Sequence, residues 1–598
     1  VTVIRGAKDS LTTNGDSAVR CVYVGANAKL IGFTLTNGAT RLTGNSDYEM
    51  TGGGAWCDAF SVVSNCWIIG NNAFDRGGGI FCDPNSSINN CTLNYNSASY
   101  GAGAYRGTLK YCTLSGNAGY WGGGAYLSTL SNCTISGNSA SGNGAGAANG
   151  TLFNCILSDN TADLRGGGAS ECNLFNCSLF GNSAHFEFGG GAYGGNLYNC
   201  TVSGNSAKYG WGGGIYGSWL YNCIVYFNSA YFGPNERNGY FQYSCTTPMP
   251  DGTDNITNDP KLVGSLHLAS NSPCIGMGRS SYASRVDMDG EAWRSPPSMG
   301  CDEIVAGAVT GALAVEIWAA YTNVRVAFPV EFRARITGRA TGSAWRWSDT
   351  TSSSNLPYVT HSFASTGQHA VILTAFNGSY PAGVSATVEV RVADQMIHYV
   401  RTNSMTPASP FLSWETAATN IQDAIDSASQ AGALVLASNG VYDGGGRVLY
   451  GALTTRVAIT RAVTVRSVNG PGATFIRGSL PMGDEGVRCA YVGTHAELAG
   501  FTLTNGGTRT EGDQHREQSG GGVWCEPSGQ VSNCVVSANA ALSSGGGGYG
   551  GMLHNCIISN NYSDYGAGAQ YALLDHCAIS DNYAAHGGAG ARACTLSN

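Results

Sequence analysis

Short stretches in which hydrophobic and polar residues alternate recur along most of the chain. In TLSNCTIS (129–136) and NLYNCTVS (196–203), the apolar residues on either side of a cysteine alternate with polar ones. Alternation over a few residues is typical of a short β-strand with one buried face. Helical periodicity does not accompany it. The pattern therefore predicts short strands and disfavours helical or leucine-rich repeats.

The spacing of the cysteines sets the length of the repeat. In the first half, successive cysteines are 21 to 25 residues apart, at Cys66, Cys91, Cys112, Cys133, Cys155, Cys177, Cys200, Cys223 and Cys245. The series resumes at Cys534, Cys556 and Cys577. Self-similarity at a fixed period indicates a solenoid. A coil of about 22 residues made of strands predicts an all-β fold, a three-sided, right-handed parallel β-helix, the hand following the general preference of parallel crossovers.

Two structural ladders are expected inside this β-helix. Successive coils lie about 4.8 Å apart, so one position repeated in every coil becomes a file of like side chains. Cysteine packs there as a compact apolar residue, and an asparagine five residues later can bond the coils above and below. Glycine clusters supply the turns. We expect the ladders to include Cys91, Cys112, Cys133, Cys155, Cys177, Cys200 and Cys223, with Asn117, Asn138, Asn160, Asn182 and Asn205.

The repeats resemble known protein families. SGNSAKYGWGGGIYG (203–217) is similar to the Gly-Gly-Ala and Phe-x-x-Asn repeats of polymorphic outer-membrane proteins, and more broadly to the pectate-lyase-like β-helix superfamily. DPKLVGSLHLASNSPCIGMG (259–278) and VDMDGEAWRSPPSMGCDEI (286–304) resemble the closing segment of bacterial surface β-helix proteins of the choice-of-anchor Q type. The resemblance implies a first domain over 1–304, sealed by a closing segment from about 246 to 304.

A region without the cysteine ladder follows, over 305–394. Its strands alternate, and Trp345, Trp347, Phe363 and Gly367 partly match the pattern of an immunoglobulin-like β-sandwich of the polycystic-kidney-disease (PKD) type, which this region resembles. The usual Asp-Phe-Gly-Asp-Gly turn is replaced by SDTTSSS (348–354). The resemblance implies a sandwich domain between two solenoids.

A second β-helix is predicted over 395–598. Ile421, Ala424, Ile425 and Ala428 follow helical spacing and predict an N-terminal capping helix at about 414–430, started by Ser413. The two halves are also copies, because RCVYVGANAKLIGFTLTNGATR from position 20 returns as RCAYVGTHAELAGFTLTNGGTR from position 488, an offset of 468 residues. We expect the chain to be a segment of a longer tandem array of such units.

Composition narrows the functional classes. Charged residues make up 12% of the chain and the net charge is −8, whereas soluble domains usually carry about 25% charged residues. The sequence has no basic face for nucleic acid and no apolar run long enough to span a membrane as a helix. We therefore expect an extracellular or cell-surface protein that associates with itself or continues head to tail into a fibre, with surface glycans as other candidate partners.

The sequence predicts no catalytic centre. Acidic residues of the coils are scattered, and we expect no two at one position of successive coils: Asp58, Asp75, Asp83, Asp159, Asp163, Glu171 and Glu187. The favoured interpretation is a structural or adhesive segment of a surface fibre that is not an enzyme. The alternative is a β-helix that binds glycans or degrades polysaccharides as a lyase or hydrolase.

Three further groups of residues are candidates for specific roles. We expect no cofactor other than calcium, for which Asp287, Asp289 and Glu291 in DMDGE are candidate ligands set against a plain turn. Cys274 and Cys301 lie off the ladder and form a candidate disulfide. A partial column of tyrosines is expected either to cover glycine-rich backbone or to contact a sugar or a partner: Tyr105, Tyr126, Tyr193 and Tyr216.

Overall fold

The computed structural model describes residues 2–284, 286–304 and 309–597. Its first part is a parallel β-helix, as predicted. One coil consists of the short strands Thr92–Asn94, Ser97–Tyr100, Ala104–Tyr105 and Thr108–Lys110, and the next coil begins at Thr113–Ser115. Strands of successive coils pair in parallel, for example Leu93 with Leu114.

The strands of the first β-helix form four stacks where three sides were predicted. They contain eleven strands from Thr2–Arg5 to Cys245–Thr246, seven from Ser97–Tyr100 to Ser229–Phe232, ten from Val22–Val24 to Glu236–Arg237, and eleven from Lys29–Ile31 to Gly252–Thr253. Each coil divides into four short strands because it bends at its asparagine, its glycines, the residue after its tyrosine, and its cysteine. Leucine, isoleucine, valine, alanine and cysteine fill the interior along the whole length.

The asparagine ladder is a continuous file of buried amides. Asn138 donates its backbone N–H and its Nδ2 to the side-chain oxygen of Asn160, at 3.0 and 2.9 Å. Its Nδ2 also donates to the carbonyl of Leu114 at 3.0 Å, and its own oxygen accepts the same pair of bonds from Asn117. A buried bend exposes backbone groups that need partners, and this file supplies them in every coil.

The cysteine ladder is also hydrogen-bonded and is more than apolar filling. The backbone N–H of Cys112 donates to the sulfur of Cys133 at 3.4 Å, and that thiol reaches the carbonyl of Ser131 at 3.3 Å. At the last rung, Ser244 replaces cysteine and accepts the N–H of Cys223 at 2.9 Å. Cys245, expected on the ladder, is one residue out of register, because it pairs with residue 224.

A closing segment covers the last coil of the first β-helix. It contains the antiparallel pair Leu262–Val263 and His267–Leu268 and a single 3₁₀ turn at Ser280–Tyr282. Its apolar side chains form a small core against the last coil that includes Ile224, Cys245, Leu262, Leu268, Cys274 and Met299. The segment also lies along earlier coils, where Ser178 and Thr201 hydrogen-bond to it.

The middle of the chain is a β-sandwich. One sheet contains Ala314–Ala319, Pro329–Thr337 and Tyr358–Ser362, and the other contains Asn323–Arg325, Tyr380–Ala393, Gly367–Asn377, Gly342–Arg346 and Ser352–Ser354. Trp345 and Phe363 are fully buried between the sheets, and Trp347 stacks on Trp345 at 5.7 Å between ring centroids. These residues form the predicted aromatic core of an immunoglobulin-like sandwich.

The second β-helix has the same plan as the first. Its stacks contain eight strands from Ile397–Val400 to Thr595–Ser597, six from Gly440–Tyr442 to Ala578–Ser580, seven from Arg447–Val448 to Ala591–Arg592, and the pair Tyr562–Tyr565 and Tyr583–Gly587. The capping helix is shorter than predicted. It spans Ile421–Ser427, and its N-cap is Asn420, whose side chain accepts the N–H of Asp423. The predicted apolar face at 421, 424, 425 and 428 is buried.

The two β-helices lie side by side and contact each other. An aromatic cluster joins Phe186 and Tyr209 of the first to Tyr491, Trp524 and Tyr549 of the second. Among the described residues, no helix is long and apolar enough to cross a membrane.

Candidate functional site

A file of outward-pointing bend residues runs along the first β-helix, directly after the predicted tyrosine column. Each member has a positive φ between 52° and 64° and follows a strand paired in register with its neighbours. In chain order the file consists of Arg106, Leu127, Asn149, Glu171, Gly194, Gly217 and Asn238. Five coils carry a side chain at this bend and two successive coils carry none.

The two glycines leave a groove on the surface. It has a volume of about 400 Å³ and is lined by Glu171, Tyr193, Gly194, Gly195, Asn196, Tyr216, Gly217 and Trp219. Nothing lies within 4 Å of the position that a Cβ on Gly217 would take. Glu171 and Asn238 bound this gap in the file, and the carboxylate of Glu171 leans over Gly194, within 3 Å of the position that a Cβ there would take.

Trp219 presents an open aromatic face to the groove. It is 52% exposed, and its outward file continues with Tyr240 in the next coil, 5.0 Å away between ring centroids. In the preceding coil the same position holds Asn196, whose Nδ2 donates to the side-chain oxygen of Asn173 at 2.8 Å. The indole is therefore covered by an aromatic ring on one side only, and its other side faces small polar groups.

Tyr193 and Tyr216 form the opposite wall. Their rings stack at 5.8 Å with an interplanar angle of 7°. The guanidinium of Arg165 lies 5.1 Å from the ring centroid of Tyr193, and Asn238 donates to the hydroxyl of Tyr216 at 3.0 Å. Arg165 therefore fixes the ring of Tyr193 and Asn238 fixes that of Tyr216, so this wall of the groove is preformed.

The groove carries a single carboxylate, Glu171, which is exposed to solvent. Its described lining contains no lysine, arginine or histidine. A flat aromatic surface, an amide and a carboxylate that accepts hydroxyl protons suit a ligand with an apolar face and a rim of hydroxyl groups. An acidic ligand would meet a like charge without a cation to balance it.

The predicted tyrosine column exists in two separate parts. Tyr105 stacks on Tyr126 at 5.7 Å and Tyr193 on Tyr216 at 5.8 Å, while Ala148 and Ser170 occupy the coils between them. Sequence reasoning missed a second outward column one stack further along, with centroid spacings of 4.9 to 5.0 Å, in which Phe153 is exposed and the other three rings are half-buried: Phe153, Phe175, Tyr198 and Tyr221. The sequence does contain a signal for this column, because an aromatic residue stands two positions before each of four successive ladder cysteines.

One expectation about the acidic residues is wrong. Asp58 and Asp83 occupy the same position in successive coils, because each follows directly on the paired residues Cys57 and Cys82. Asp58 accepts a hydrogen bond from the hydroxyl of Tyr23 at 3.1 Å, and Asp83 accepts the N–H of Asn85 at 2.9 Å. The two carboxylates serve separate local contacts, so their alignment does not form a shared site.

The candidate calcium ligands have protein partners in the structure. Asp287 is fully buried, and its two oxygens accept the backbone N–H groups of Asp289, Glu291 and Glu303. Arg339 of the sandwich pairs with Glu291 through both terminal nitrogens. One carboxylate oxygen each from Asp287, Glu291 and Asp302 lies within 4.8 Å of the others, and calcium binding here stays a prediction.

The nearest partner of Asp289 is a histidine. His267 Nε2 lies 3.0 Å from its Oδ2. Asp302, which was not among the candidates, belongs to two groups of converging side chains: it lies with Asp287 and Glu291 in one and with His267 and Asp289 in the other.

The candidate disulfide is absent. Cys274 and Cys301 are both buried free thiols. Each has neighbours of its own: Cys274 belongs to the small core with Cys245, and the backbone N–H of Cys301 donates to the hydroxyl of Thr201 at 3.1 Å. The two cysteines serve packing on different sides of the closing segment.

Comparison with known proteins does not assign the chain to a family. No protein-family model matches the chain, and no curated protein matches it either. A matching solved structure is the tailspike protein gp49 of Acinetobacter baumannii bacteriophage Fri1, described as a capsular polysaccharide depolymerase, with 12% identity and a TM-score of 0.18. The match covers 63% of this chain and 63% of the tailspike, so it spans less than two thirds of either.

This comparison corrects one expectation of the sequence analysis. The sequence favours a protein that is not an enzyme, whereas the matching tailspike is described as a capsular polysaccharide depolymerase. The prediction that the chain lacks activity is therefore withdrawn. The PKD-type and choice-of-anchor assignments stay predictions, since no family model matches.

Proposed function

We propose that this protein is an extracellular β-helix that binds a glycan in the groove between Glu171 and Asn238. The observation that carries the proposal is the loss of two successive side chains, at Gly194 and Gly217, from a file that otherwise projects from every coil. The resulting gap lies against the open face of Trp219.

The groove favours an uncharged or amino-bearing sugar. Pyranose rings present an apolar face of C–H groups that packs on aromatic rings, and Trp219 offers such a surface beside the amide of Asn196. Glu171 can accept hydrogen bonds from hydroxyl or ammonium groups. The open part of the gap, at Gly217, accommodates a sugar ring beside the Glu171 carboxylate.

Binding to an array of purified polysaccharides tests the proposal. The array includes neutral, amino-sugar and uronic-acid polymers, and release of reducing ends from each is measured in parallel to detect turnover. We expect the neutral or amino-sugar polymers to bind and the uronic-acid polymers to bind at least tenfold more weakly. The proposal is overturned if the protein binds none of the polysaccharides, or if it binds the uronic-acid polymers more tightly than the neutral and amino-sugar polymers.

Gly217→Asn is the decisive variant. Asparagine already occupies this bend at Asn149 and Asn238 with positive φ, and the Cβ position at Gly217 is empty, so the variant should fold and fill the groove. We expect it to weaken glycan binding at least tenfold. Leu127→Asn, in the same file but two coils before Glu171, is the matched control and should bind as the parent does.

A second role is favoured by the packing of the two β-helices against each other. The lateral contact of Phe186 and Tyr209 with the second β-helix fixes two rods of one chain side by side. Together with the internal duplication, it supports a role as a segment of a surface stalk or fibre. This role is compatible with glycan binding, because the groove lies at a different bend of the coil.

A further inference from the structure

The contact between the two β-helices centres on a carboxylate shared by two tyrosines. Glu526 accepts a hydrogen bond from Tyr209 of the first β-helix at 2.8 Å and from Tyr491 of its own at 2.9 Å. Tyr209 packs edge-on against Trp524 at 5.5 Å, and all four residues are at most 8% exposed. The contact is therefore a desolvated one with a polar anchor at its centre.

A second part of the same contact lies one coil earlier. The ring of Phe186 stacks on His515 at 4.3 Å between centroids, and the guanidinium of Arg516 lies 5.3 Å from the same ring. Arg516 also donates to Asp163 at 3.3 Å. We call the coils of the first β-helix that supply these groups, residues 161–211, the partner coils.

The first β-helix contains a copy of the surface that the partner coils bind. With the offset of 468 residues, Tyr491, Trp524, Glu526 and Tyr549 correspond to Tyr23, Trp56, Asp58 and Phe81. We call these four residues, with Tyr48 beside them, the open face.

The open face has the same internal geometry as its covered counterpart. Tyr23 stacks on Trp56 at 5.3 Å and 13°, against 5.4 Å and 11° for Tyr491 on Trp524. The hydroxyl of Tyr23 donates to Asp58, as that of Tyr491 does to Glu526.

The two surfaces differ in what covers them. Tyr491 is 7% exposed and is covered both by the partner coils and by Tyr450 of its own β-helix. Tyr23 and Tyr48 are each 58% exposed, whereas Trp56 and Phe81 are buried like their counterparts. Exposed aromatic side chains grouped in one patch mark an interaction surface. The side chains of the open face are therefore already arranged to bind the partner coils, as the matching surface of the second β-helix does within the same chain.

We propose that the open face binds the partner coils of a second copy of this chain once those coils are released from that copy's own second β-helix, which covers them in the structure. Tyr209 of that copy would donate to Asp58, whose carboxylate oxygens retain free lone pairs. Arg516 is replaced by Tyr48 in the open face, so the ion pair with Asp163 is lost and the contact between copies is weaker than the one within the chain.

The contact is heterologous, because two different surfaces of the β-helix meet. A heterologous contact that does not close generates an open row of subunits rather than a dimer. Contacts run in the same direction along both β-helices, from 163 with 516 to 209 with 549. In such a row, the partner coils of one copy lie beside the first coils of the next copy, which carry the open face. The copies are therefore side by side and staggered along their axes. The sequence predicts either self-association or head-to-tail continuation, and this row is a form of self-association.

Residues 1–304 provide the test, because they hold both surfaces and lose the second β-helix that covers one of them. The two main cores of this segment consist of its own residues. Truncation exposes the smaller cluster that Val263 and Ala269 share with the sandwich, so circular dichroism first checks that the fragment is folded. We expect sedimentation velocity under reducing conditions to show oligomers whose mean size rises with concentration.

Three variants of the fragment assign the contact. Tyr209→Ala removes the partner-coil anchor and Tyr23→Ala removes the open face, and each is expected to weaken association at least tenfold. A mixture of these two variants should form complexes of two fragments and nothing larger. Tyr111→Ala, which alters a tyrosine that is 66% exposed at another bend, is the control and should associate as the parent fragment does.

A full-chain variant tests the same proposal without truncation. Arg516→Ala combined with Glu526→Ala removes both polar links of the covering surface and frees the partner coils in part. We expect this double variant to associate and the addition of Tyr23→Ala to abolish the association. The proposal is overturned if the fragment and the double variant both stay monomeric. It is also overturned if Tyr23→Ala and Tyr209→Ala leave the association unchanged.

Discussion

The side-chain oxygen of Asn160 accepts two hydrogen bonds from Asn138, one from the backbone N–H at 3.0 Å and one from Nδ2 at 2.9 Å. The same pair of bonds joins Asn117 to Asn138. Each amide is therefore held by its neighbours on both sides, and each coil depends on the next for the partners of its buried backbone groups.

Replacement of Asn138 by leucine should loosen several coils. The backbone N–H of Asn117 and the carbonyl of Leu114 would lose their partners in a buried bend. Each unsatisfied group costs about 1–3 kcal/mol, so we expect about 3 to 5 kcal/mol of destabilisation. Asp159→Asn, in the next coil and exposed, is the control and should change the unfolding midpoint in urea by little. Equal effects of the two variants would contradict the ladder.

The cysteine ladder predicts a preference between two small replacements. Ser244 shows that a hydroxyl can take the place of the thiol, since it accepts the N–H of Cys223 and donates to the carbonyl of Gln242 at 2.9 Å. Cys133→Ser should therefore stay within about 1 kcal/mol of the parent, whereas Cys133→Val leaves the N–H of Cys112 unpaired and should cost about 2 kcal/mol. Thermal unfolding under reducing conditions measures both. Greater stability of the valine variant would show that the position is purely apolar.

Stability of the closing segment should fall as the pH rises from about 4 to above 7. Burial raises the pKa of Asp302 to about 7, and one of its oxygens lacks a hydrogen-bond partner. A carboxyl whose folded pKa is raised is favoured in its protonated form, so this contribution is complete below pH 4 and is lost as the pH passes 7. A difference of about three units corresponds to about 4 kcal/mol.

His267 reinforces this dependence. Burial lowers its pKa and the hydrogen bond with Asp289 raises it, with a net increase, so its stabilising charged form is also lost as the pH rises. Urea unfolding across pH 4–8 measures the effect, and Asp302→Asn should flatten most of the profile. A wild-type profile that rises with pH would contradict the assignment.

Much of the fold was predictable because identical side chains lie in files. The positions of Cys133 and Asn138 follow from the period and from the spacing between coils alone. The bonds of the cysteines were not predicted, because alternation reports burial and gives no information on where a backbone N–H points. Cys245 matched the period but lies out of register, since the last step to Ser244 is one residue shorter than the spacing of the cysteines implies.

The groove and the open face were harder to predict. Gly194 and Gly217 look like ordinary turn glycines until their bend is aligned with Glu171 and Asn238 in neighbouring coils. That alignment is contained in the sequence and could have identified the gap. The contact of Tyr209 with Glu526 joins residues 317 positions apart. The two surfaces that meet there share no sequence pattern that would predict the contact. The open face could therefore be recognised as a copy of the covered surface only once the packing was known.

The groove also predicts which side chain governs the strength of glycan binding. Trp219 offers the open aromatic face, so Trp219→Ala should reduce affinity at least tenfold, a loss of about 1.4 kcal/mol. Phe153→Ala, in the second aromatic column and 40% exposed, removes a ring outside the groove and should have no effect on glycan binding. Titration calorimetry with the polysaccharide selected on the array compares them. A larger loss for Phe153→Ala would place the glycan on the other column.

A crystal structure with a bound oligosaccharide tests the central claim most directly. The account predicts a pyranose ring between Glu171 and Asn238, stacked on the face of Trp219 that Tyr240 leaves open, with a hydroxyl or amino group on the Glu171 carboxylate. Density for the sugar at another surface, with the gap at Gly194 and Gly217 filled only by solvent, would contradict it.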